Sequence, residues 1–368
     1  MSTSPIRLDG SEGGGLLLRS ALGLSLVTGK PFTLERAGGP GGGGLDAAML
    51  ACVRAARAVG GAAVEGDWPG SERLDFAPGP VRRGDYLLDL GAAGSIPQAL
   101  QVIAVPLALA GPSVVKLRGG THFEADPALH YLTLVWLPLM RELGYELDLE
   151  LNAAGFGPQG GGEATLQLHG ARLEKGLDCR SRGTLREVRV LSTVSGVPLE
   201  VARRQSETAV QRLKERGIPA EAENIPVPAP RSRGSMCLVV ALFEWARAGF
   251  VALGGEGADP EAVGARAAEA CVEFVRSRAA FDLVLAEQLV LPMAVAASGL
   301  ASGAHPVCRF STSRLSDALL VEAATTGRFL EVEVALLAGG AGAEAEVRVA
   351  HARESLMQAL RPRPPREP

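Results

Sequence analysis

The sequence predicts an α+β protein built from a repeated unit, a small sheet covered by two helices, with a separate α/β module inserted between the second and third copies. Three observations predict it. The chain has 368 residues, too many for one ordinary domain, and 47% of them are hydrophobic, enough for a sizeable core. An apolar helix rich in small residues, then a glycine, then a strand-like run recurs three times. The stretch 182–276 breaks that recurrence.

The first copy is a helix over 20–27 followed by a strand over 29–34, and the second a helix over 98–110 followed by a strand over 111–117. The third is a helix over 317–323 with a strand over 327–332. In the first two copies another helix follows, over 45–59 and 126–143, each ending at a glycine before strands over 62–65 and 146–150. Glycine stops a helix there by taking the left-handed cap conformation. Units of this kind bury their apolar helix faces against one another, and catalytic runs are expected where they meet. The interrupting stretch reads as a strand over 186–191, a helix over 201–216, a proline-rich connection, a strand over 236–243 and a helix over 259–276.

Composition excludes several classes. A net charge of −4 leaves room only for a local cationic patch on nucleic acid. The five cysteines (Cys52, Cys179, Cys237, Cys271, Cys308) form no CxxC pair and are odd in number, against a disulfide framework or structural zinc and in favour of a reduced cytoplasm. No export signal is expected at the N-terminus, and the apolar stretch 93–110 is broken by Ser95, Pro97, Gln98, Gln101 and Pro106, so it reads as buried helix rather than membrane span. The proline-rich tail 351–368 is expected to be disordered.

Two motifs carry chemistry. Glu12-Gly13-Gly14-Gly15 before an apolar helix lets backbone N–H groups approach an oxyanion at the positive end of the helix, and lacks the GK[ST] ending of a Walker motif. Glu12 offers a hard oxygen to a divalent metal, and Arg19 a bidentate phosphate clamp. Far along the chain, His305 precedes Pro306 and is the candidate nucleophile. A neutral imidazole attacks phosphorus when its other nitrogen carries the hydrogen and has a partner. The remaining histidines, His122, His130, His169 and His351, show no metal-ligand spacing.

From Leu8 to Val349 the chain resembles the RNA 3′-terminal phosphate cyclase family. The resemblance lies in Asp9-Gly10, the Glu12 glycine run with Arg19, Arg36-Ala37-Gly38, Gly94-Ser95 with Gln101, Gly119-Gly120-Thr121-His122, the run 286–294 and Ala304-His305-Pro306. It implies three repeats of a two-helix, four-stranded unit in a large domain, 1–181 with 277–350, and a small inserted α/β domain, 182–276. It further implies ATP and a divalent metal, Mg or Mn. The residue at His305 takes AMP with release of pyrophosphate, AMP passes to an RNA 3′-phosphate, and the vicinal 2′-hydroxyl closes a 2′,3′-cyclic phosphate and frees AMP. On this mapping Glu12 holds metal, Arg19 and Arg36 the substrate phosphates, and Gln101 with Val284, Leu285, Ala286, Glu287 and Gln288 the nucleotide. Pro127 and Tyr131 flank the adenine.

The chain departs from the family pattern at several points. Leu16 stands for a glutamine, glycines follow Arg36-Ala37 where basic residues are expected, Ala48-Met49 replaces a Gln-His pair, Glu287 stands for an aspartate, and the Pro-Pro stretch shrinks to Asp126-Pro127-Ala128. These changes strip charge-assisted donors from the phosphate site. The alternative expectation is therefore a catalytically impaired member that acts as an RNA- or protein-binding scaffold. A transferase of small carboxylates gives His305 no role and is disfavoured.

Overall fold

The computed structural model describes residues 4–39, 41–124, 126–228, 231–338 and 344–353. Its first unit runs β1 (Ile6–Asp9), α1 (Gly14–Thr28), β2 (Phe32–Glu35), α2 (Ala47–Gly60), β3 (Ala63–Glu65) and β4 (Arg73–Ala77). The sheet order is β1-β2-β4-β3, with β1 and β2 parallel and the other pairs antiparallel. The second unit repeats this connectivity with β5 (Asp85–Asp89), α3 (Ile96–Ala110), β6 (Ser113–Gly119), α4 (Leu129–Tyr131), a π segment (Leu132–Trp136), α5 (Leu137–Glu142), β7 (Tyr145–Ala153) and β8 (Gly162–Ala171). Its order is β5-β6-β8-β7.

The third unit is split. Its first strand, β9 (Asp178–Cys179), comes before the interrupting stretch, and α8 (Leu283–Ser298), β14 (Cys308–Thr312), α9 (Asp317–Phe329), β15 (Val332–Ala338) and β16 (Ala345–His351) come after it. The order β15-β16-β14-β9, with β9 parallel to β14, matches the other two sheets strand for strand. The sequence phase of the third copy is thereby corrected: α8, not α9, is the counterpart of α1 and α3. Both helices of a unit end just before a strand, so a helix–glycine–strand signature does not tell the first from the second.

Between β9 and α8 lie β10 (Leu185–Ser195), α6 (Leu199–Glu215), β11 (Glu221–Pro226), β12 (Gly234–Phe243), β13 (Arg247–Gly254) and α7 (Pro260–Arg276). They form a sheet of order β11-β10-β12-β13, adding β11 and β13 to the two strands expected from the sequence. Central β12 is buried along nearly its whole length, as a strand covered on both faces must be.

Local chemistry sets the helix ends. Asp46, Ser95, Asp282 and Ser316 each accept a backbone N–H at the start of α2, α3, α8 and α9, at 2.8, 3.3, 3.0 and 3.2 Å, caps worth about 1 kcal/mol apiece. Gly29, Gly61 and Gly299 close α1, α2 and α8 at φ of 71°, 54° and 77°. The first helices of the three units meet at Gly23: a Cβ there would stand 3.2 Å from Leu291 of α8 and 3.4 Å from the Val102 carbonyl of α3. Buried side chains from the units and the interrupting stretch join in one hydrophobic core. Among the described residues no helix is long and apolar enough to cross a membrane. The tail beyond Arg353 lies outside the described residues.

Candidate functional site

The N-terminal halves of α1, α3 and α8 open onto one cavity of about 580 Å³, closed on its other side by the α4–π segment, β13 and α7. Helical spacing decides which side chains reach it. Leu16, Arg19 and Ser20 on α1, Gln98, Gln101 and Val105 on α3, and Val284, Glu287, Gln288 and Leu291 on α8 are three or four residues apart, so each set shares a face. The same rotation carries Leu285 and Ala286 away. Both are fully buried in the core and meet the cavity with no side-chain atom.

Arg19 donates Nε–H to Gln101 Oε1 at 3.1 Å, so the clamp from the first unit is held by the second. Gln98 Nε2 donates to Asp126 Oδ1 at 2.6 Å, beside Pro127 on the rim. Tyr131 also lines the cavity but is only 1% exposed, and its hydroxyl donates to Asp282 Oδ1 at 2.7 Å. Asp282 also accepts from the backbone of Gly249 on β13 at 3.0 Å, tying the second unit, the interrupting stretch and α8 to one buried carboxylate. A Cβ on Gly249 would fall 2.7 Å from the Tyr131 ring, which is why the strand has glycine where it crosses the aromatic.

The electrostatics favour a ligand with both donors and charge. Arg19 and Arg266 face the cavity with Glu124, Asp126, Glu287 and Glu322. Burial pushes the Glu287 carboxyl up despite a 2.7 Å hydrogen bond from Ser316. It pushes Glu322 up further, to about 7. Glu322, Gln98, Asp126, Asp282 and Arg266 escape a motif-based reading. Glu322 alone carries a sequence signal, as a single carboxylate inside the apolar run 318–324.

Three expected residues lie elsewhere. Glu12 is exposed and lines a smaller hollow with Leu8, Leu17, Val321 and Arg328. Arg36 sits in the left-handed region at φ 52° and is paired to Asp9, donating Nε–H at 2.8 Å. That carboxylate also accepts from the Ser11 backbone at 3.0 Å, so Arg36 braces the glycine turn. His305 is exposed in the loop after α8, its ring edge-on to His351 with centroids 4.3 Å apart. Its Nδ1 is 3.2 Å from the Ala297 carbonyl. A carbonyl only accepts, so Nδ1 carries the hydrogen and Nε2 presents a lone pair. The ring does not line the cavity. About 13 Å of helix, at 1.5 Å per residue, separates Ala297 from Gln288.

His122 and His130 form a different pair, Nε2 to Nδ1 at 2.9 Å, with Thr121 Oγ1 at 2.7 Å from the other nitrogen of His122. Burial holds both imidazoles below the ordinary range, His130 at about 4 and His122 well down, so both are neutral at physiological pH.

The family description that matches residues 10–336 is RNA 3′-terminal phosphate cyclase. The chain belongs to the RNA 3′-terminal phosphate cyclase family. It is 38% identical over 340 residues to the RNA 3′-terminal phosphate cyclase of Ralstonia nicotianae, covering 90% of this chain and 94% of that one. It is 37% identical over 358 residues to the protein of the same name from Methylococcus capsulatus, covering 92% and 95%. In this member of the cyclase family Leu16 puts an apolar side chain on the cavity wall beside Arg19, while half-buried Met49 packs near Gly15. At Glu12 the divalent metal that the resemblance implies would meet apolar groups, the Thr325 hydroxyl and an arginine. Among the described residues no group of three histidine, cysteine or acidic side chains is placed to hold a metal ion.

Proposed function

We propose that this chain binds ATP in the cavity at the N-terminal halves of α1, α3 and α8 and acts on RNA 3′-phosphate ends, closing the terminal phosphate onto the vicinal 2′-hydroxyl as a 2′,3′-cyclic phosphodiester. The observation that supports it is convergence: Arg19, Gln101, Pro127, Tyr131, Val284, Glu287 and Gln288, scattered across the chain, line one cavity of nucleotide size. ATP supplies AMP as the activating group for the RNA phosphate with loss of pyrophosphate, and attack of the 2′-hydroxyl on that phosphate releases AMP. Arg19, oriented by Gln101, holds negative charge, Glu287 and Gln288 take ligand hydroxyls, and Pro127 with the buried Tyr131 edge bounds the base. The need for a 2′-hydroxyl makes RNA the substrate rather than DNA. The free, buried cysteines fit the cytoplasmic setting of RNA processing or repair.

In this reading the AMP carrier is His305, through Nε2. Its position sets a condition: a nucleotide phosphorus meets the ring only if it leaves the cavity and travels along α8 past Leu291. A second reading is favoured by that separation and by the apolar residues at 16, 48 and 49, namely a family member that binds RNA ends or protein partners without turnover. Incubation of folded protein with α-labelled ATP, Mg or Mn and 3′-phosphorylated RNA separates them. An acid-labile adduct on His305, with cyclic product lost in His305→Ala, supports the first reading. Nucleotide binding without adduct or cyclic product supports the second. An adduct on another residue removes His305 from the chemistry.

A further inference from the structure

Glu322 on α9 is a carboxylate of the cavity that the reading above does not use. It is 8% exposed, and its Oε1 lies 2.6 Å from Ser20 Oγ on α1. That hydroxyl is also 3.0 Å from the Leu16 carbonyl one turn earlier. A hydroxyl has one hydrogen and a carbonyl only accepts. Both contacts are satisfied together when Glu322 is protonated on Oε1 and donates to Ser20, while Ser20 donates to Leu16. The other oxygen, Oε2, is buried without a partner, and so is Oε1 of Gln288 on the same cavity. Two buried acceptors without donors call for a ligand that brings hydrogens, such as hydroxyl or amino groups.

The charged surroundings agree. Against α9 pack α1, α8 and β15. From α1 comes Arg19, which pulls the Glu322 carboxyl down, and from α8 Glu287, which pushes it up, while burial outweighs both. On β15, Glu333 is paired to Arg348.

We infer that Glu322 is a specificity-determining residue of the nucleotide site: as a neutral acid it accepts a ligand hydroxyl or amino hydrogen on Oε2 and leaves the charge of Arg19 to the anionic part of the ligand, and as a carboxylate it competes for that charge. The inference rests on the nucleotide reading of the cavity. Its consequence is that affinity for an anionic nucleotide falls as pH rises through neutrality, while affinity for an uncharged nucleoside does not follow.

The test is calorimetric titration of the full-length protein with AMP and with adenosine from pH 5.5 to 8.5, for wild type, Glu322→Gln and Ser20→Ala. Comparing variants removes the ionisation of AMP itself. Between pH 6 and 8 the wild type should lose about tenfold in AMP affinity relative to Glu322→Gln, the effect of one nearby charge at intermediate dielectric. Ser20→Ala removes the acceptor of the protonated carboxyl's hydrogen, so it should move the midpoint to lower pH. Superimposable AMP profiles for wild type and Glu322→Gln overturn the inference alone. An unmoved midpoint in Ser20→Ala does so as well, should Glu322→Gln fail to fold. Folded wild type that binds neither AMP nor adenosine at any pH overturns the inference and the nucleotide reading together.

Discussion

Ser20 and Glu322, 302 positions apart, lie 2.6 Å from one another and join the first helix of the first unit to the second helix of the third. The pair has a cost that depends on pH. The Glu322 carboxyl titrates at about 7 in the folded chain against 4.5 when free, so between these values the unfolded chain ionises while the folded one stays protonated. Folding stability is therefore lost as pH rises from 4.5 through 7, by about 3 kcal/mol at 1.36 kcal/mol per unit. Glu322→Gln should be more stable than wild type at pH 8 by up to about that amount and close to it at pH 4, measured as urea midpoints at both pH values.

Asp282 is a second buried carboxyl that burial pushes up, against bonds that pull it down. It accepts from the Tyr131 hydroxyl at 2.7 Å, the Gly249 backbone at 3.0 Å and the Leu285 backbone at 3.0 Å. Asp282→Ala leaves three donors unpaired and should cost about 3–4 kcal/mol in urea unfolding. Asp282→Asn, which can still accept, should cost less than half as much.

Much of this architecture is legible in the sequence, for reasons that particular residues expose. Ser95 before an apolar run with Pro97, and Gly61 after Val59, mark helix ends by local chemistry alone. Strand β9 is illegible because two residues carry no period and its partner, β14, lies beyond the whole interrupting stretch. At the site, a contiguous nucleotide segment 284–288 suits an extended chain. On a helix, 100° per residue sends Val284, Glu287 and Gln288 to the cavity and Leu285 and Ala286 to the core. His305 shows the same limit in three dimensions, since motif order along the chain does not reveal that α8 holds it and Gln288 apart. Glu322 hides because a carboxylate in an apolar helix becomes informative only when Ser20 and Arg19 are seen beside it.

Arg19 should dominate affinity for the charged part of any nucleotide in the cavity. A charge-assisted bond is worth about 1.5–3 kcal/mol, so Arg19→Ala should weaken AMP binding about ten- to a hundredfold and leave adenosine nearly unchanged. Arg19→Lys keeps the charge but not the planar fork that Gln101 orients, so it should recover only part of the loss. Equal losses for AMP and adenosine would contradict this division of roles.

Gly23 tests the contact of the three first helices. Alanine there gains about 1 kcal/mol in helix propensity but sets a methyl 3.2 Å from Leu291, so the two effects nearly offset and Gly23→Ala should shift stability by less than about 1 kcal/mol. Gly23→Leu has no such balance. Its side chain must enter the space of Leu291 and Val102, and a loss above about 3 kcal/mol is expected in the same urea assay.

The His122–His130 pair opposes Glu322 over nearly the same pH range. His130 titrates at about 4 when folded against 6.5 when free, and His122 also lies low, both from burial. The unfolded chain gains these protons first, so the stability they protect is complete above 6.5 and is lost as pH falls toward 4. Glu322 loses stability as pH climbs across that interval, with the slope of one group against two. Two imidazoles rising against one carboxyl falling leave the wild type a modest net rise in stability between pH 5 and 6.5. Removing one partner should unmask the other: in Glu322→Gln stability should rise with pH over this interval, and in His130→Asn it should rise less than in wild type or fall. Parallel urea-stability curves for the three proteins from pH 4.5 to 7 would show that these buried groups do not set the pH response.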